Sequence, residues 1–294
     1  MHENLANVRG GLYLWCGVGL VLFAVAVYLS QPAALPPNGG SWQGYTLGGI
    51  GLALILWLSW LGVRKRSYRS RLGTVQGWTS AHVWLGLALL PIGFLHAAFQ
   101  LGFNVHTLAL VLMVAVVLSG LYGLFAYSIL PRRLAETLGD KNRDQWLTEL
   151  NRIDARLREL AVGANARTQA LVESAIERTS LGGGVLAQLF AGDRSRLLDP
   201  DRVEQGAKLV ANRGQQRLVD YLAQAVPKAE RRGEAALLQE LLALASRRRM
   251  VLATLRRAVQ LQARLRAWLY LHIPLTVALL AALAVHVLVV FLYW

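Results

Sequence analysis

The stretch of sequence that decides the fold is HVWLGLALLPIGFLH, residues 82–96. It begins and ends with histidine and has no charged side chain in between. A second stretch of equal length, HIPLTVALLAALAVH at residues 272–286, shares both properties. Because about 20 apolar residues in a helix span a hydrocarbon core of about 30 Å, both stretches predict membrane-spanning helices with a histidine near each end.

The distribution of charge supports this interpretation along the whole chain. Three windows, residues 10–63, 72–131 and 267–294, contain no Lys, Arg, Asp or Glu. A charge in the middle of a bilayer is costly, so uncharged windows of this length predict an integral membrane protein. We expect five spans, at residues 11–29, 45–63, 80–101, 105–130 and 268–293. The first is too long and too rich in Trp and Tyr for a cleaved signal peptide, so we interpret it as a retained span.

Composition limits the kinds of redox centre that the chain can hold. Of 294 residues 55% are hydrophobic, yet the net charge is +14, so the charges are concentrated outside the apolar windows. The one cysteine, Cys16, lies inside the first predicted span. A single cysteine excludes an internal disulfide, an iron–sulfur cluster held by this chain alone and the Cys-x-x-Cys-His attachment of a c-type haem. Any redox centre needs other ligands.

Basic residues predict the orientation of the spans. They crowd residues 64–71, follow the fourth span at residues 132–133 and precede the fifth at residues 256–266, whereas the intervening loops carry no charge. Lys and Arg near span ends mark the cytoplasmic side. We therefore expect a multi-pass protein of a bacterial inner (cytoplasmic) membrane, with its N-terminus in the cytoplasm and its C-terminus outside.

The same pattern predicts the domain organisation: spans one to four at residues 1–130, a cytoplasmic insertion at 131–266 and the fifth span at 267–294. Leucines in the insertion recur at helical spacing and no strand-like alternation is evident. Asp199 followed by Pro200 is typical of a helix start. We expect an all-α membrane protein of five transmembrane helices, in which a four-helix bundle is joined by one extra span. The helical insertion should continue unbroken into span five.

The insertion contains 25 basic and 16 acidic residues, and its arginines have more than one interpretation. They can form a solvated face beside anionic lipid headgroups, or a dock for an acidic partner or for haem propionates. Nucleic acid is not an expected partner, because nearly all aromatics that could stack on bases lie in the predicted membrane segments.

Histidine spacing carries the functional prediction. His82 and His96 lie fourteen residues apart, as do His272 and His286. Fourteen residues make nearly four helical turns and rise about 21 Å, so each helix presents two imidazoles on roughly one face, at two depths. Spans three and five run in the same direction, so the cytoplasmic pair is His82 with His272 and the outer pair is His96 with His286. Two such pairs are what two bis-histidine haems require.

Residues near the four histidines in sequence have predicted supporting roles. Gly86 and Gly93 lie about one turn from the ligands of span three, where a missing side chain lets a flat macrocycle approach the backbone. Arg71, Arg264 and Arg266 lie near the inner pair in sequence and are candidates to neutralise haem propionates.

His106 opens span four near the outer surface, where three roles stay open. It can contact a quinone, orient an outer haem propionate or be a plain interfacial residue. For the other four, interhelical hydrogen bonding is the common role of a single intramembrane histidine. Four at two equal spacings favour a shared task, since buried ionisable groups are costly. A haem-free zinc or copper transporter is an alternative, weakened by the absence of carboxylates among the predicted ligands.

Two parallel helices, each with a His-x13-His pair, resemble the haem-bearing core of cytochrome b from quinol–cytochrome c reductases. They also resemble the transmembrane domain of ferric reductases and NADPH oxidases, whose paired helices are likewise the third and fifth. Residues 268–275, WLYLHIPL, resemble small bacterial b-type cytochromes of respiratory modules. The resemblance implies two haem b groups on His82, His272, His96 and His286.

The resemblance also implies a function: transmembrane electron transfer as the quinone-linked subunit of a respiratory oxidoreductase. Partners would be iron–sulfur or c-type cytochrome subunits, quinone and membrane lipid. A stand-alone reductase of an external acceptor is the alternative. The sequence departs from these families because no nicotinamide or flavin domain follows span five, no Pro-Glu-Trp-Tyr-like quinol motif is evident, and neither well-known family has the insertion.

Overall fold

The computed structural model describes residues 8–32, 38–67, 73–190, 192–202 and 208–292. The chain divides into two compact units, Met1–Leu124 with Trp268–Trp294 and Phe125–Ala267, each described by itself below. The predicted insertion began at residue 131, so the second unit takes in the end of predicted span four as well.

The first unit holds the apolar helices. Its elements are α1 (Leu12–Leu29), α2 (Trp42–Ser59), α3 (Leu61–Arg66), α4 (Val75–His96), the first part of α5 (Val105–Leu138) and the last part of α10 (Arg232–Leu292). Five helical stretches of the described chain, counting α2 and α3 together, are long and apolar enough to cross a membrane, which confirms that part of the prediction.

Polar residues set where the apolar helices begin. Ser41 Oγ accepts a hydrogen bond from the Gly44 N–H (3.1 Å) and caps α2. Thr74 Oγ1 does the same for the Gly77 N–H (3.1 Å) and caps α4. Each cap satisfies one of the amide groups that the first turn of a helix leaves unpaired. Helix α4 therefore begins at Val75, before the predicted start at residue 80.

Helix α4 ends earlier than hydropathy predicts. The predicted span ran to residue 101, but the helix stops at His96 because Ala98 and Phe99 adopt left-handed backbone conformations with φ of 48° and 57°. The Phe99 N–H turns back to donate to the Phe94 carbonyl (3.2 Å). Such a turn is common at helix C-termini but favours Gly or Asn, so an Ala-Phe sequence gave no signal of it.

Packing around α4 gives the first unit its core. On one side α1 and α2 contribute to a cluster that includes Ala24, Leu47 and Ile92. On another side, a cluster that includes Ile55, Leu89, Met113 and Leu279 joins residues of α2, α4, α5 and α10. Helix α4 contributes to both clusters, so both of its histidines lie on a helix that is held from several directions.

The second unit is an insertion built around one apolar cluster. Its elements are the rest of α5 and α10, α6 (Arg143–Ala161), α7 (Ala166–Glu177), α8 (Val185–Leu189), α9 (Gln216–Ala225), the strands β1 (Arg196–Leu198) and β2 (Leu209–Ala211), and 3-10 turns at Pro200–Arg202, Arg213–Gln215 and Val226–Lys228. Leu157, Leu171, Leu222 and Leu241 of the core are fully buried. The prediction that the last helix runs unbroken into span five is confirmed by α10.

The expectation of an entirely helical insertion is wrong in one place. Strands β1 and β2 pair antiparallel with Leu197 opposite Val210, and Leu197 is fully buried. Each strand has only three residues, too few for a period-two pattern to stand out from the sequence. The predicted helix start at Asp199-Pro200 is a 3-10 turn beginning at Pro200.

One arginine of the insertion lies in its interior. The Arg248 side chain is 1% exposed and forms an ion pair with Asp154 (2.5 Å). Its remaining donors reach Gln215 Oε1 (2.8 Å) and Thr179 Oγ1 (3.0 Å). A buried charge is tolerated only when it is paired and hydrogen-bonded, and this guanidinium meets both conditions. Arg248 therefore joins α10 to α6 and to the segments on either side of the strands.

A second arginine of α10 repeats the arrangement nearby. Arg256 forms an ion pair with Asp193 (2.9 Å) and donates to Ser195 Oγ (2.9 Å) and to the Ser180 carbonyl (3.2 Å). Burial raises the pKa of the Asp193 carboxyl, but hydrogen bonds from Ser195 and Gly214 and the Arg256 charge outweigh it, so the pKa lies below its usual value. These two arginines stabilise the insertion and are not part of a solvated face.

Candidate functional site

The outer histidines of α4 and α10 lie together. The ring centroids of His96 and His286 are 6.0 Å apart, and the ring planes are nearly perpendicular at 84°. A metal–imidazole bond is about 2 Å long and the ring centre lies roughly 1 Å beyond the nitrogen, so two imidazoles on opposite sides of one metal have centroids about 6 Å apart. The separation of this pair matches axial ligation of a single iron.

The inner histidines are also near one another. His82 lies close enough to His272 for the two rings to interact electrostatically. Lys65, at the end of α3, is within electrostatic range of both rings. The predicted pair His96–His286 is thus in ring contact, and the predicted pair His82–His272 is within electrostatic range. Lys65 is a cation in electrostatic range of the inner rings that the sequence analysis did not single out.

Each of the four histidines makes a hydrogen bond through Nδ1. His82 reaches the Leu58 carbonyl (3.1 Å), and His96 reaches the Gly44 carbonyl (2.8 Å). On α10, His272 reaches Ser119 Oγ (2.7 Å), and His286 reaches Nδ1 of His106 (2.6 Å). The Nε2 atoms of His82, His96 and His286 have no hydrogen bond with a described residue, whereas His272 has a second one, with the Val116 backbone. Histidines that bind metals hold the other ring nitrogen in this way, which fixes the tautomer and the ring orientation.

Glycine makes room for the outer ligand of α4. A Cβ added at Gly48 of α2 would lie 2.8 Å from His96 Cε1 and 3.1 Å from its Nδ1, which is too close for any side chain. Neighbouring Gly49 has nothing within 4 Å of such an atom. In the structure Gly48 gives the His96 ring its space, and the sequence offered no means of separating it from Gly49.

The inner ligand of α10 lies in an aromatic and hydroxylic setting. The Trp268 ring stacks on His272 with centroids 5.2 Å apart, and its Nε1–H donates to the Ser119 carbonyl (2.7 Å). Gly123 leaves space for that indole, since a Cβ there would lie 2.2 Å from it. A Cβ added at Gly120 would lie 3.6 Å from His272 Cε1, in ordinary contact with the ring. Sequence analysis did not place Ser119, Gly120, Gly123 or Trp268 beside a ligand, so it missed this group.

The other predicted site residues, two glycines and three arginines, differ in how well their positions fit the predicted roles. Gly86 borders open space, with nothing within 4 Å of an added Cβ. Gly93 differs from its expected role, because an added Cβ would lie 2.6 Å from Met113 Cε; the space beside it is filled by packing from α5 and is not open to a macrocycle. Arg71 lies outside the described residues. Arg264, partly exposed, and Arg266, exposed, lie in the second unit, and neither forms an ion pair with a described residue.

His106 is exposed at the start of α5, and its ring lies 4.6 Å from that of His286, edge to face. Sequence analysis allowed it a quinone contact, a propionate contact or a plain interfacial position. A contact with a predicted ligand was not foreseen, because residues 180 apart in sequence show no spacing pattern.

Within the described ranges, no three or more His, Cys, Asp or Glu side chains are arranged to hold a metal ion. The candidate ligands come in pairs. A zinc site takes three or four protein ligands, whereas a porphyrin supplies four nitrogens itself and leaves two axial positions for histidine. The described arrangement is compatible with axial pairs.

Comparisons of the chain with protein-family models, with curated proteins and with solved structures found no match. The resemblances noted from the histidine motif stay predictions.

Proposed function

We propose that this chain transfers electrons across a membrane through two b haems, one held by His82 and His272 and the other by His96 and His286. The observation that carries the proposal is the common state of the four rings. Each has Nδ1 in a hydrogen bond, and in His82, His96 and His286 the Nε2 atom has no partner among the described residues. Histidines that served only to join helices would have no reason to leave the same ring nitrogen without a partner three times.

The distances support the same proposal at the outer pair. A separation of 6.0 Å between ring centroids equals the spacing expected of two imidazoles on opposite sides of one iron, and the two rings are otherwise in edge-to-face contact. Gly48 keeps the His96 ring in position from one side. When bound, each haem would supply a one-electron couple whose potential depends on axial ligation, burial and nearby charge.

The chain's own residues orient the ligands and set the charge around them. Carbonyl and hydroxyl acceptors hold the protonated Nδ1 of three ligands, which directs the unprotonated Nε2 to the site. Lys65 places a positive charge near the inner pair, where it can neutralise a propionate and favour the reduced state. We therefore expect the inner haem to have the higher midpoint potential.

We also propose the kind of complex in which this chain transfers electrons. Transfer between two depths of the membrane suits the cytochrome b subunit of a quinone-linked respiratory complex, with the cytoplasmic end at the inner pair. The partner would be an iron–sulfur or c-type cytochrome subunit. A stand-alone reductase of an external acceptor would use the same two haems. Reduction by a quinol analogue such as menadiol distinguishes them, since only the quinone-linked protein should be reduced by it.

The direct test is the visible spectrum of the purified full chain, with haem measured per protein. We expect the Soret and α bands of low-spin b haem, and two haems per chain. A protein purified from haem-replete cells that binds no haem, but binds zinc or copper, would contradict the proposal and favour the transporter.

A further inference from the structure

The outer pair differs from the inner pair in the atom that holds one of its ligands. Three of the four histidines have Nδ1 bonded to an oxygen, of a carbonyl or a hydroxyl. The fourth, His286, is bonded to a nitrogen, Nδ1 of His106, at 2.6 Å. The inference drawn from this difference rests on the proposed function.

The direction of the bond follows from the ligand role. An imidazole that binds iron through Nε2 carries its proton on Nδ1. The His286 Nδ1–H is therefore the donor, and His106 Nδ1 is the acceptor. His106 then has its own proton on Nε2. One hydrogen bond thus fixes the tautomers of both residues.

The position of His106 is set by the backbone that precedes it. Asn104 Oδ1 accepts a hydrogen bond from the Thr107 N–H (2.9 Å), and Thr107 Oγ1 accepts one from the Gly102 N–H (2.9 Å). These bonds begin α5 at Val105 and hold its first turn. The acceptor is therefore presented by an ordered helix start.

An imidazole nitrogen is a stronger base than a carbonyl or hydroxyl oxygen. It draws the Nδ1 proton of its partner more strongly, so His286 gains electron density at Nε2 and donates more to a bound metal. Greater donation favours the oxidised iron. We propose that His106 is a positioning residue that orients His286 and lowers the midpoint potential of the outer haem.

The test is a redox titration of the full-length, haem-loaded protein in detergent, with each haem followed by its optical and electron-paramagnetic-resonance signals. His106→Phe keeps an aromatic ring but removes the acceptor. At a fixed ambient potential, we expect the reduced-to-oxidised ratio of the outer haem to rise about tenfold, which is 59 mV for one electron. The inner haem should not change.

Two further variants make the result specific. His106→Asn restores an oxygen acceptor and should give an intermediate potential. Ser119→Ala removes the corresponding partner of His272 and should alter the inner haem alone. If His106→Phe loses the outer haem while His106→Asn retains it, the orienting role is supported.

If the protein binds two haems but His106→Phe leaves the midpoint potential of the outer haem unchanged, or lowers it, the inference is wrong and the proposed function still stands. A wild-type protein without haem would overturn both.

Discussion

The two units of this chain treat their buried polar groups differently. In the insertion, the buried guanidinium of Arg248 has an ion pair and two further hydrogen bonds, all within the unit. In the unit with the apolar helices, the four histidines each have Nδ1 bonded, and three of them have Nε2 without a partner among the described residues. Polar groups that bond within their own unit hold its segments together, whereas ring nitrogens without a partner in the chain are available to a ligand. We therefore expect the buried polar groups of the insertion to stabilise its fold, and the histidines of the other unit to bind a ligand.

The largest effect should come from removing the buried Arg248 side chain, which should destabilise the insertion. Arg248→Ala leaves Asp154 without its ion-pair partner in the interior, which typically costs about 3–5 kcal/mol. We expect amide hydrogen exchange in α7 and α9 of the full chain to speed up at least a hundredfold. Haem content should stay at the wild-type value, because the histidines belong to the other unit.

The control replaces both charges together. Arg248→Met with Asp154→Leu removes the pair without leaving a buried charge, and should restore much of the protection from exchange. Loss of haem in Arg248→Ala, with the insertion still protected, would contradict the division of roles between the units.

A second, smaller effect should appear at the outer histidine pair, His96 and His286. Gly48→Ala introduces a Cβ 2.8 Å from the His96 ring, so the ring must move. We expect the affinity for the outer haem to fall about 10–100-fold, as for other changes next to a metal ligand, and the inner haem to remain. Haem per protein and the optical spectrum of each haem measure this.

Gly49→Ala is the matched control, since it adds the same methyl group on the next residue with nothing within 4 Å. Equal haem loss in both variants would show that the effect comes from the helix as a whole and not from the His96 ring.

The smallest effect concerns acid. The pKa of the Asp193 carboxyl is lower in the folded chain than in an unfolded one, so its stabilising effect is fully present above the unfolded value of about 4. That effect is lost as the pH falls through the lower, folded value. As the pH falls through that value, we expect the rate of amide hydrogen exchange at residues 193–196 to rise about fivefold. This corresponds to the loss of one hydrogen bond of about 1 kcal/mol.

The comparison variant is Asp193→Asn, which cannot ionise. In this variant, residues 193–196 should exchange their amide hydrogens faster than in the wild type at neutral pH, and the rate should not rise further as the pH falls through the Asp193 pKa. An acid response of wild-type size in Asp193→Asn would assign it to another carboxyl.

Sequence analysis predicted the parts of the fold that depend on periodicity and charge. Uncharged windows located five apolar helices, and equal spacing indicated which histidines would meet. It could not predict contacts between distant residues or turns without a compositional signal. The Ala98-Phe99 turn, the three-residue strands, Met113 against Gly93 and the His106–His286 bond all depend on tertiary packing. The roles of Arg248 and Ser119 depend on it too, because exposed and buried arginines or serines look alike in sequence.

The most direct test of the central claim is haem stoichiometry in single His→Ala variants of the full chain. We predict that His82→Ala and His272→Ala each retain one haem, with the same spectrum and potential. His96→Ala and His286→Ala should each retain the other haem. Four variants that each keep both haems, or losses that pair His82 with His96 instead, would contradict the account.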